Sequence, residues 1–202
     1  MGKIGLFGGT FDPPHTGHTA LAHAVLKRFS LDKIIFIPAG NPPHKTDKRV
    51  TDKHHRFEML SIAIKNNPSF LLSDFEVKND SPNYSYITIE HFKKAYPDDE
   101  IFFVVGEDSY RDFPLWKNYP EILSLCTYIV VNRPNVENDD YFLKYRELSP
   151  KHSAMFLDDF SHDISSTELR KKLFAGQSCE KYLPHGVFEY IQKNKLYSKE
   201  SL

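Results

Sequence analysis

The sequence has little that would staple, anchor or strongly charge it. Only two of its 202 residues are cysteine, Cys126 and Cys179. They are far apart and in no metal-type spacing, so free thiols are expected rather than a disulfide scaffold or a cysteine-held zinc. No apolar leader opens the chain and no run is long enough to span a bilayer, which gives the expectation of a cytoplasmic protein with no membrane partner. The formal net charge is −1, without the basic excess that nonspecific nucleic-acid binding uses, so no nucleic-acid partner is expected. An anion must instead be met by a local cluster. One runs from Pro43 to Phe57, where His44, Lys45, Lys48, Arg49, Lys53, His54, His55 and Arg56 face only Asp47 and Asp52. Repeats and low-complexity segments are also missing, and the length suits a single domain over residues 1–202 with its own core. Oligomeric state is not legible from this pattern.

What is present is an alternation. Strand-like runs IGLF (4–7), KIIFIP (33–38), FLLSDF (70–75), IFFVVG (101–106), TYIVV (127–131) and AMFLD (154–158) are separated by helix-like TALAHAVLKRF (19–29), FEMLSIAIKN (57–66) and ITIEHFKKAY (87–96). Strands apolar throughout, with helices between them, imply a parallel sheet covered on both faces. The expected fold is therefore α/β: a Rossmann-like, doubly wound parallel sheet with a small C-terminal helical segment. That segment, residues 181–197, reads as a Pro-initiated amphipathic helix with Val187, Phe188, Ile191 and Leu196 on one side. In such sheets ligands lie beyond the carboxyl ends of the strands, where strand order reverses. The chemically unusual segments GGTFDPPHTGH, AGNPPHKTDKR, GEDSYRDFPLW and NRPN all follow strand-like runs.

In GGTFDPPHTGH, Gly8 and Gly9 are expected to supply positive φ and close ligand approach, without the spacing of a dinucleotide fingerprint. Asp12-Pro13-Pro14 makes a stiff turn, and a helix starts near Thr16 to His18, where its first N–H groups form an anion site. His15 and His18, three apart, can face the same anion. A pair at the surface or satisfied by hydrogen bonds, or two ligands of a zinc site, are the other readings, and phosphate contact is favoured by the Gly-Gly turn. Near the other end, DISSTELRKKL (163–173) offers a second helix start. Ser165 and Glu168 form a capping box, which leaves Ser166, Thr167 and their amides for an anion with Arg170 in reach; an ordinary capped helix is the plain alternative.

Taken together, GGTFDPPHTGH and ISSTELR resemble the H-x-G-H nucleotidyltransferase superfamily. NPPHK (41–45), PNYSYITIEHFKKAYP (82–97), GEDSYRDFPLW (106–116), NRP (132–134) and the Tyr-Leu-Pro of the tail resemble the bacterial nicotinate mononucleotide adenylyltransferases. That resemblance implies transfer of AMP from ATP to nicotinate mononucleotide, giving the acid dinucleotide and pyrophosphate in NAD biosynthesis, with magnesium held mainly by the ATP phosphates. It further implies that His15, His18 and Arg170 are catalytic. Gly8, Gly9, Thr10, Phe11, Gly106, Asp108, Arg133, Ser165, Ser166 and Thr167 would complete the ATP site. Lys45, Ser85, Tyr86, Thr88, Asp108 and Trp116 would take the mononucleotide, Trp116 by stacking on its ring. The run Asn83-Tyr84-Ser85-Tyr86-Ile87-Thr88-Ile89 departs from the family's S-Y-T-x-x-T-L loop at its first and third residues, which bears on the choice of acid over amide. The alternatives are a sibling transferase acting on nicotinamide mononucleotide or phosphopantetheine, and a non-catalytic nucleotide sensor.

Overall fold

The computed structural model describes residues 1–41, 50–79, 81–132, 154–158, 160–162 and 164–198. Lys45 and Arg133, both expected at the site, lie outside the described residues. So does the first part of the basic cluster, residues 43–49.

Six strands form one all-parallel sheet: β1 (Lys3–Gly9), β2 (Lys33–Pro38), β3 (Phe70–Leu72), β4 (Glu100–Gly106), β5 (Thr127–Val131) and β6 (Ala154–Leu157), in the order β3-β2-β1-β4-β5-β6. Each central strand is apolar at successive residues because both of its faces are covered. Ile4, Leu6, Ile35, Ile37, Ile101, Phe103 and Val105 pack on one side of the sheet with Ile89 and Phe92 of α3 (Ser85–Ala95), Tyr110 of α4 (Glu107–Arg111) and Ile122 of α5 (Tyr119–Leu125). The alternate residues Phe7, Ile34, Phe36, Phe102 and Val104 pack on the other side with Ala22 and Val25 of α1 (Thr16–Arg28) and Leu60 and Ile64 of α2 (Lys53–Ile64). The two-residue period of a strand thus sorts one apolar run into two cores.

Strand order reverses between β1 and β4, which pair with Phe7 opposite Val104. Their carboxyl ends open together, and this is where the unusual loops collect. A third apolar cluster ties the end of the chain to α2: Met59 packs with Leu169 of α6 (Ser166–Phe174), Cys179, Leu183, and Val187 and Ile191 of α7 (Val187–Lys193). Both cysteines are free thiols. Among the described residues no helix is long and apolar enough to cross a membrane.

Three expectations are corrected. FLLSDF is a strand only over Phe70–Leu72. The tail is not one helix started by a proline: a 3-10 turn at Glu180–Tyr182 precedes Pro184, and α7 begins at Val187. Gly186, at φ 87°, caps α7 in the left-handed region that glycine adopts without strain. Gly8 and Gly9, finally, are not at positive φ but are the last residues of β1; Phe11 takes the left-handed conformation, at φ 49°. Gly9 is needed for space, since a Cβ there would sit 2.9 Å from the Phe11 ring.

Candidate active site

The part of the site expected to face phosphate is built where β1 passes into α1. His15 is the N-cap of α1 and is buried, at 7% exposure, with His18 one turn on and half-buried. The backbone N–H of His15 donates to Nδ1 of His18 at 3.1 Å. Nδ1 therefore carries a lone pair, and in the neutral ring the proton resides on Nε2, which becomes a fixed donor. The two rings lie 3.8 Å apart between centroids, and the Phe11 ring holds His18 edge-on from 5.0 Å. Burial first, and then the charge of His162, lowers the His15 pKa to about 4. Burial, followed by His15 and His162, puts His18 well below its ordinary value. Both rings are thus neutral, and Nδ1 of His15 is buried without a hydrogen-bond partner. A polyanion brought here would stabilise the protonated form of His15, whose Nδ1 is open to a proton, and oppose its downward shift.

The second helix start comes to the same place. Ser165 caps α6 by accepting from the Glu168 amide at 3.2 Å, while Glu168 accepts from the Ser165 amide, as the capping box requires. Ser166 Oγ then donates to the Pro13 carbonyl at 2.9 Å, and Arg170 Nη1 donates to the Asp12 carbonyl at 2.6 Å. Arg170 Nη2 also reaches Thr167 Oγ1 at 3.3 Å. The bonds to Pro13 and Asp12 span more than 150 residues of sequence and bring the start of α6 against the turn that leads into His15 and His18, so that two helix N-termini, each with its partial positive charge, come together.

Asp12 holds this arrangement in place. Its carboxylate is 4% exposed and lies 3.9 Å from Arg170. It accepts the Tyr197 hydroxyl at 2.6 Å and the Thr51 amide at 3.3 Å. Burial and the neighbouring Asp12 keep the Tyr197 hydroxyl protonated, raising its pKa well above the ordinary value. Beneath the turn, the guanidinium of Arg56, 1% exposed, donates to the carbonyls of Thr51 at 2.8 Å, Thr10 at 2.8 Å and Gly40 at 3.1 Å. A buried charge with three carbonyl partners fixes the turn between β1 and α1 from below.

At the carboxyl end of β1 lies a cleft of about 260 Å³, lined by Gly8, Gly9 and Thr10 from β1 and its turn, by Gly106 and Ser109, by Asn83, Tyr84, Ser85 and Thr88 at the start of α3, and by Trp116 and Lys117. The Trp116 ring is half-buried and braced by Phe113 at 4.6 Å. Thr88 is buried and donates to Glu76 at 2.7 Å, which anchors the α3 start to the cleft floor. Tyr86 stands behind Tyr84, ring centroids 6.2 Å apart. Asp108 is exposed in the first turn of α4, between the cleft residues Gly106 and Ser109. Among the described residues no group of three or more His, Cys, Asp or Glu side chains converges to hold a metal.

Sequence reasoning missed Asp12, Arg56 and Tyr197, whose roles depend on partners distant in the chain. It missed Lys117, which reads as an ordinary solvated lysine, and His162, whose ring lies 6.2 Å from that of His15. Only Asp12 carried a local signal, a carboxylate inside a motif otherwise made of turn formers and histidines.

Known proteins resemble this chain over most of its length. The cytidylyltransferase-like family matches residues 6–172. A Clostridium tetani protein named "Probable nicotinate-nucleotide adenylyltransferase" is 40% identical over 199 residues, covering 98% of this chain and all of its own. A Clostridium botulinum protein of the same name is 37% identical, covering 95% of this chain and 97% of its own. Among solved structures, the nicotinic acid mononucleotide adenylyltransferase of Plasmodium falciparum, complexed with NaAD, superposes with a TM-score of 0.79 at 23% identity, covering 98% of each chain, a likeness of fold.

Proposed function

The chain belongs to the cytidylyltransferase-like family and, within it, to the nicotinate-nucleotide adenylyltransferases, and on that premise we propose how its residues transfer AMP from ATP to nicotinate mononucleotide with release of pyrophosphate. The observation that carries the reading is the junction of the two helix starts: Ser166 on Pro13 and Arg170 on Asp12 make one polyanion cradle from segments at opposite ends of the chain.

The attacking group is the phosphate of the mononucleotide. Its second pKa is about 6, so it is largely dianionic near neutrality and needs no general base. The protein's task is to align it with the α-phosphorus and to stabilise the charge that spreads over the α-phosphate and the departing pyrophosphate. His18 points its Nε2–H at a non-bridging α-phosphate oxygen; its Nδ1 is held by the His15 amide, so the donor is set before ATP arrives. His15, the first amides of α6 at Ser166 and Thr167, and Arg170 receive the β- and γ-phosphates. As these bind, the depressed His15 pKa rises, and its ring, whose Nδ1 has no hydrogen-bond partner, gains positive charge where the leaving group develops its negative charge, while His18 stays neutral and donates from Nε2.

Gly8, Gly9, Thr10 and Phe11 form the wall along which the triphosphate lies, Gly106 borders the nucleoside, and Asp108 accepts from its ribose hydroxyls. Trp116 stacks on the pyridine ring, while backbone donors around Ser85, Tyr86 and Thr88 meet its carboxyl group. Lys45 is assigned to the mononucleotide phosphate and Arg133 to ATP from the sequence alone. Magnesium suits this donor set as an ion carried in by ATP phosphate oxygens and water, and when bound it supplies charge neutralisation on the triphosphate.

The test is direct. Purified protein with ATP and magnesium is offered nicotinate mononucleotide, nicotinamide mononucleotide and phosphopantetheine separately, and dinucleotide and pyrophosphate are measured. Turnover of the nicotinate substrate is expected; turnover of phosphopantetheine alone would overturn the assignment, and binding without any turnover would make the chain a nucleotide sensor.

A further inference from the structure

The cleft holds one cation among its described lining residues, Lys117, and one carboxylate, Glu76. Glu76 is already committed. It accepts from Thr88 at 2.7 Å, and burial raises its pKa, partly offset by Thr88, the Gly40 amide and Arg56. Lys117 is in the opposite condition. Its Nζ rests 4.5 Å from the centroid of the Tyr84 ring, and no carboxylate pairs with it among the described residues. Tyr84 is the N-cap of α3 and caps it with no side-chain hydrogen bond. The ammonium group is therefore suspended over the residue where the Ser85 and Tyr86 amides begin, next to the only tryptophan of the chain. A cation on an aromatic face, beside an indole that can stack on a flat ring, matches one ligand class: an aromatic ring carrying a carboxylate. It discriminates against the same ring bearing a neutral carboxamide, because only the acid gives a charge-assisted bond.

We propose that Lys117 sets the preference for the acid over the amide form of the pyridine substrate, its ammonium swinging from the Tyr84 ring onto the ring carboxylate while Trp116 stacks on the ring. The inference rests on the adenylyltransferase reading of the cleft and deepens it. The sequence departs from the family's pyridine loop at Asn83, two residues before α3, and at Ser85, the first residue of α3, and Lys117 brings a side-chain cation to the Tyr84 ring between them.

The test compares wild type with K117M, K117R and W116A. K117M keeps the aliphatic stem on Tyr84 and removes only the charge; because Lys117 is exposed, the fold should survive, and an unchanged melting curve checks this. For each protein, kcat/KM is measured with nicotinate and with nicotinamide mononucleotide at saturating ATP and magnesium. In K117M the nicotinate value is expected to fall about five- to tenfold through KM, with the nicotinamide value changed less than about twofold. K117R should retain most of the preference, and W116A should lose both substrates together. An acid-to-amide ratio in K117M equal to that of wild type, or an equal fall with both substrates, overturns the proposal. Failure of the underlying reading looks different: wild type would then join ATP to neither mononucleotide, and the proposal would fall with it.

Discussion

Replacing Gly17 by alanine should make the protein no less stable and yet much less active. Gly17 is buried in the first turn of α1. Glycine in a helix costs about 0.5–1 kcal/mol relative to alanine through backbone entropy, so the substitution carries that stabilisation. A Cβ at this position, however, would sit 2.9 Å from His15 Nδ1 and 3.0 Å from His162 Nδ1. To restore van der Waals contact the His15 ring must retreat by about 0.5 Å. His15 stacks on His18 at 3.8 Å and its amide orients His18 Nδ1, so the shift is passed to the donor proposed to meet the α-phosphate. Displacements of this size in a positioned catalytic group reduce turnover by roughly ten- to a hundredfold. Gly17→Ala should therefore show an unchanged or slightly raised Tm by calorimetry. In a continuous pyrophosphate-release assay kcat should drop by that factor, with a smaller change in KM for ATP. Wild-type kcat in a variant of undiminished Tm would refute the claim that the His15 and His18 rings are held by close packing on this glycine.

His18→Ala should lower kcat by about 10²–10³, the loss typical of removing one donor to a developing oxyanion, while KM for ATP stays within about threefold; steady-state kinetics showing near-normal kcat would remove His18 from the reaction. Arg56→Met should destabilise by about 3–5 kcal/mol, a fall in Tm of roughly 10 °C, because three buried carbonyls lose their donor, and a thermal melt within 2 °C of wild type, itself about half a kcal/mol, would contradict this. Acid should destabilise the fold through His15. Its pKa is about 4 in the folded protein against 6.5 unfolded, so the unfolded chain gains protons first as pH falls. The stability present above about pH 6.5 is then lost towards pH 4, by about 2–3 kcal/mol at pH 4.5. Urea midpoints measured at pH 7 and pH 4.5 should separate more in wild type than in His15→Asn, and equal separations would show that His15 is not the group responsible.

The sequence by itself determined the layers and the two ends of the site. Continuous apolar strands such as KIIFIP and TYIVV left no polar face for solvent, so a parallel sheet with helices on both sides followed, and β1 beside β4 placed the reversal point. The histidine pair and the Ser165 cap were legible because both work through neighbours three residues away, within the reach of one helical turn. What only the tertiary structure decided concerns partners remote in sequence. Phe11 rather than the glycines takes the left-handed turn because its ring must fill the space over Gly9 against Phe7 and His18. The tail breaks before Val187 because Gly186 has to fit against Ile62, which a Cβ would approach at 2.9 Å. Arg56, Tyr197 and Lys117 gave no periodic or motif signal, and the place of Asp12 in the motif did not show its partners, since a buried hydrogen bond or a cation over a ring is a property of two surfaces brought together. Local pattern reports the energy of neighbours along the chain; the energies that aim this site come from neighbours across it.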